Sequence, residues 1–71
     1  VSGVDLDLLR ANHAETRDAA LELAAAVAER VTDGPFDTGA LALTHGLAAN
    51  LTMLLRREKS LRRAVKAEVA G

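Results

Sequence analysis

One strong break divides this chain. Pro35 is the only proline, and it stands in Asp33-Gly34-Pro35-Phe36-Asp37, close to the middle of the 71 residues. Proline has no N–H to give to a helical ladder, and its ring clashes with the preceding turn. Gly34 ahead of it is expected to take the left-handed conformation that commonly follows a helix C-terminus. Asp37 is a good cap for a new helix, with Thr38 as the alternative and Phe36 and Leu41 as the apolar pair across the cap. On either side nothing interrupts a helical pattern rich in alanine and leucine. The reading is a single domain over 1–71, with a helix over about 3–32, a turn at 33–37 and a helix over about 38–69. A link of a few residues favours antiparallel neighbours. The expected fold is all-α, an antiparallel two-helix hairpin.

The first helix carries several entry signals. Ser2 is expected to cap it, Asp5 follows three residues later, and Val1 and Leu6 occupy the staple positions. Asp5 and Asp7 suit the positive end of the helix dipole. Its apolar stripe reads Leu6, Leu9, His13, Thr16, Ala20, Leu23, Val27, a seven-residue period. The second helix repeats the period as Ala40, Thr44, Leu47, Leu51, Leu54, Glu58, Leu61, Val65. Gly46 interrupts its propensity and marks either a close helix approach or nothing.

Composition then argues for a partner. The apolar surface that 71 residues can bury roughly cancels the entropy of ordering them, and no cysteine is present to add a disulfide or a thiolate metal site. Self-association is a common remedy for so small a chain. The expected assembly is a homo-oligomeric helical bundle or ring, a dimeric four-helix bundle by default. Leu21, Leu43 and Met53 lie off the main stripes as candidate inter-subunit contacts. No leader and no membrane span are expected, which suggests a cytoplasmic protein.

Function classes narrow by absence. Phe36 is the only aromatic, too few for an RNA-stacking platform. His13 and His45 sit on different helices, far apart along a hairpin, and no Glu-x-x-His pair accompanies them, so no metal or cofactor is expected. No serine or threonine has a recognisable base partner. The chain reads as non-enzymatic. Folding about Pro35 places His13, Thr16 and Glu58 in one polar layer, which either fixes register or forms a ligand pocket.

Charge is uneven along the chain. Residues 1–55 hold three basic and eight acidic side chains, a net of −5, while residues 56–71 hold six basic and two acidic, a net of +4. Arg56 and Arg57 open that basic run, followed by Lys59, Arg62, Arg63 and Lys66. It either neutralises the acidic start of the first helix or binds phosphate groups. With an overall charge of −1, specific nucleic-acid binding is not expected.

The stretch Arg17-Asp18-Ala19-Ala20-Leu21-Glu22-Leu23-Ala24, followed after the turn by Leu41-Ala42-Leu43-Thr44, resembles the helical-hairpin sponges that phages use against host immunity. The resemblance covers roughly residues 13–55. It implies short hairpins assembled into rings, commonly hexamers, that sequester cyclic oligonucleotide signals in the host cytoplasm. It also implies that His13 stacks on or hydrogen-bonds a base, that Arg17 holds phosphate, and that Thr44 contacts the ligand or packs. Where that family carries an aromatic residue ahead of the arginine, this chain has His13. The alternative reading is a structural or protein-interaction module, adaptor or antitoxin-like, with no small ligand.

Overall fold

A computed structural model describes residues 3–70. Helix α1 spans Gly3–Asp33 and helix α2 spans Thr38–Ala70, and no strand occurs among the described residues. The molecule is a rod of 53 × 15 × 13 Å. A helix of 33 residues is about 50 Å long at ~1.5 Å per residue. The rod is therefore one helix long and two helices wide, an antiparallel hairpin. The Ser2 cap and the Val1 staple position lie outside the described residues.

Asp37 caps α2 from both its side chain and its backbone. The Ala40 N–H donates to Asp37 Oδ1 at 2.9 Å, and the Leu41 N–H donates to the Asp37 carbonyl at 2.9 Å. One of the donors that a helix start leaves unpaired, the Ala40 N–H, is thereby satisfied, and the Leu41 bond is the first regular bond of the helical ladder. The expected left-handed Gly34 is corrected: no described residue, glycine or otherwise, has a positive φ. Gly34 precedes Pro35, and proline pushes its predecessor toward extended backbone. The helix stops by that restriction and not by a left-handed cap.

The buried seam joins Asn12, Thr16 and Ala19 of α1 to Ala40, Thr44, Leu54 and Glu58 of α2. On α2 these residues all belong to the stripe read from the sequence. On α1 the seam keeps Thr16 but differs from the expected stripe at two positions. Asn12, 4% exposed, takes the place expected for His13, and Ala19 takes that of Ala20. Alanines surround α1 on every side, so the apolar pattern alone does not fix which edge faces inward. The Asn12 Nδ2 settles it by donating to the Leu54 carbonyl at 3.0 Å. Thr16 and Thr44 bury their hydroxyls cheaply, because each donates within its own helix, to the Asn12 carbonyl at 2.8 Å and the Ala40 carbonyl at 3.0 Å.

This seam is small and polar, while large apolar side chains lie outside it. Leu21, Val31, Leu41, Leu43, Met53 and Leu55 are all exposed. Part of α2 is also apolar enough to cross a membrane by length and composition: an 18-residue window reaches mean hydropathy 1.2, with 17% of it buried in the hairpin. The sequence reading expected no such span. The reason is that residues 38–55 hold no Asp, Glu, Lys or Arg, although much of the stretch is Ala, Gly and Thr. The facing length of α1 carries Glu15, Arg17, Asp18, Glu22, Glu29 and Arg30, so the hairpin as a unit presents charge along this whole stretch.

Candidate functional site

The site begins with Glu58, whose position in the α2 stripe forces its stem into the seam. Its side chain is 12% exposed, and a carboxylate so enclosed needs partners. Oε1 lies 3.0 Å from His13 Nδ1, a hydrogen bond in which the ring N–H donates. Oε2 lies 3.3 Å from Arg62 Nη2, one helical turn further along α2. The His13 side chain itself is 66% exposed. It does not sit in the seam but covers one edge of it. The polar layer expected of His13, Thr16 and Glu58 is thus split: Asn12 and Thr16 lie inside, and His13 closes the layer from outside.

Beside this pair, toward the open end of the hairpin, runs a cleft of about 520 Å³ lined by Leu9, Arg10, His13, Glu58, Arg62, Val65 and Lys66. Leu9 and Val65 form an apolar floor. Arg10, Arg62 and Lys66 supply three cations, and among the described residues neither Arg10 nor Lys66 pairs with a carboxylate. A smaller groove of about 380 Å³ continues over Leu55, Lys59 and Arg63. Both hollows carry excess positive charge, so the arrangement suits an anionic group. Among the described residues no cluster of His, Asp or Glu could hold a metal ion.

The residues singled out from the sequence are dispersed. His13 lines the cleft. Arg17, one turn along the same edge of α1, lies 3.6 Å from Asp18 in an exposed pair. Thr44 is buried in the seam, about 21 Å from the Glu58 level at ~1.5 Å per residue, so it is packing at a distance from His13. Arg56 and Arg57 line neither hollow. Arg10 is the cleft residue that the sequence reading passed over. The signal was available: a hairpin pivoting between residues 35 and 36 brings together positions whose numbers sum to about 71. Leu9 with Arg62 and His13 with Glu58 meet that condition, and Arg10 stands beside them. No family model, curated protein or solved structure matches the chain.

Proposed function

We propose that this chain is a non-enzymatic helical module that works as a homo-oligomer, with a second copy covering one long edge of the hairpin. The observation that carries the reading is surface area. The chain exposes 5108 Å², whereas a compact protein of its 7.5 kDa exposes about 4,250 Å². The excess, about 850 Å², is close to the ~800 Å² that each partner contributes to a standard stable interface. The exposed leucines and valines give that area the chemistry of an interface core. Sedimentation velocity between ~1 and ~100 µM, a range bracketing ordinary interface affinities, tests it. A dimer or larger discrete species is expected, and a monomer throughout refutes the reading.

A second reading draws on the cleft. Arg10, Arg62 and Lys66 around an apolar floor favour a ligand bearing phosphate, and a ring of hairpins that sequesters cyclic oligonucleotides would use such sites between subunits. Native mass spectrometry with a panel of cyclic di- and trinucleotides should then show oligomers gaining whole ligand masses. Lys66→Ala, which removes a cation of that cleft, should abolish that gain without dissociating the oligomer. Unliganded oligomers across the panel leave the interaction module, adaptor or antitoxin-like, as the function.

A further inference from the structure

We infer that the basic cleft at the open end of the hairpin is completed by the acidic turn of a second copy, in an antiparallel dimer with its two-fold axis crossing the rod near Ala48. The inference rests on the self-association proposed above and specifies its geometry.

Seven-residue steps trace the edge involved. On α1 the edge bearing His13 continues through Ala20 and Val27, since residues seven apart share nearly the same face. On α2 the edge bearing Arg62 continues toward the turn through Leu55, Ala48 and Leu41. His13 and Arg62 line the same cleft, so the two series flank one side of the seam. That side is apolar along its middle, from Leu41 to Leu55 with Ala20 beside them, and cationic at its open end. At the turn itself sit Asp33 and Asp37, with Phe36 exposed between them.

Two ways of laying this side on itself keep two-fold symmetry. A parallel arrangement matches the apolar middles but stacks the two cationic ends on each other, Arg10 over the partner's Arg62 and Lys66. An antiparallel arrangement, centred where Glu22 of α1 stands level with Ala48, avoids this. It lays Ala20 over the partner's Ala24 and Leu55 over the partner's Leu41, with the small Ala48 side chains at the crossing. The same operation carries the turn, about 13 residues from the centre, onto the level of Leu9 and Arg10. Asp33 and Asp37 then approach Arg10 and Lys59, and Phe36 meets the apolar floor of Leu9 and Val65. One rotation pairs the apolar middle with itself, the cationic end with the acidic turn, and the lone aromatic with the apolar floor. Each dimer would fill two clefts, and each cleft would be incomplete without the other copy.

The test uses the absence of native cysteine. In the double variant Leu41→Cys, Leu55→Cys the two thiols of one chain are separated by about 21 Å along α2 at ~1.5 Å per residue, far beyond disulfide reach. Mild oxidation should give a covalent dimer whose peptide map contains the 41–55 linkage. A map of 41–41 and 55–55 linkages would establish the parallel dimer and overturn the inference while leaving self-association intact. A chain that remains monomeric fails both proposals. Cleft occupancy is read separately. Arg10→Glu should weaken dimerisation about tenfold, as expected for two symmetric exposed ion pairs, and Asp33→Lys added to it should restore the affinity. Failure to restore, or pyrophosphate occupying the cleft of an undisturbed dimer, overturns the assignment of the turn as occupant.

Discussion

Replacing Asn12 with leucine should make this hairpin more stable. Asn12 is almost wholly enclosed, and its two amide atoms have opposite fates. Nδ2 donates to the Leu54 carbonyl, whereas Oδ1 is buried with no hydrogen-bond partner. Leucine forfeits one neutral hydrogen bond, worth about 1 kcal/mol, and removes an unpaired acceptor whose desolvation costs ~1–3 kcal/mol. The Leu54 carbonyl keeps its acceptor role within α2. No side chain in the seam is fully enclosed, so the added volume has room to adjust. The net gain is about 1 kcal/mol, which for a chain of this size raises Tm by ~4–8 °C. Thermal unfolding followed by circular dichroism measures it, with protein concentration held fixed because association shifts apparent stability. Asn12→Asp serves as the opposite control: it loses the donor and adds a buried charge to the layer that holds Glu58, so it should melt well below the parent. A leucine variant that melts lower than the parent would show that the amide contributes net stability, and the bookkeeping above would be wrong.

Three further substitutions have defined signs. Asp37→Ala removes the side-chain acceptor for the Ala40 N–H and should lower stability by about 1 kcal/mol, measured by urea titration. Gly46→Ala should raise it by ~0.5–1 kcal/mol, because a Cβ there meets no atom within 4 Å and alanine is the better helix former; a loss would reveal a close neighbour supplied by another copy. Leu54→Ala empties the most deeply buried large side chain of the seam and should cost about 2–4 kcal/mol, enough to collapse the urea transition of so small a domain.

The sequence makes the hairpin legible because its punctuation is concentrated. Pro35 with Asp37 leaves one place for a turn, and α2 has enough leucines at a strict period to identify its inner edge. Helix α1 does not. Its alanines look alike from every direction, and asparagine by type reads as solvent-facing, so the exchange of His13 for Asn12 required knowing where the Leu54 carbonyl lies. The candidate site was half legible for a related reason. His13 and Glu58 were visible as a pair, because the turn fixes which levels face each other. Arg10 was not, because its significance depends on which edge of α1 lies beside Arg62, and that edge is set by the burial of Asn12 in place of His13. Conversely, Arg56 and Arg57 look prominent in the basic run but line neither hollow.

The four-residue link has a kinetic consequence. The contacts between the two helices join residues nearly equidistant from positions 34–37, so sequence separation grows steadily along the rod. The Asp37 cap closes almost no chain, whereas Asn12 reaches across 42 residues to Leu54 and His13 across 45 to Glu58. Closing those pairs directly is entropically steep, but once the turn forms, each successive layer needs only a short advance. Folding should therefore zip from the link outward. Mutations near Asp37 should slow folding, and mutations near His13 should chiefly hasten unfolding. The half of the rod that carries the cleft is then the last to assemble and the first to open.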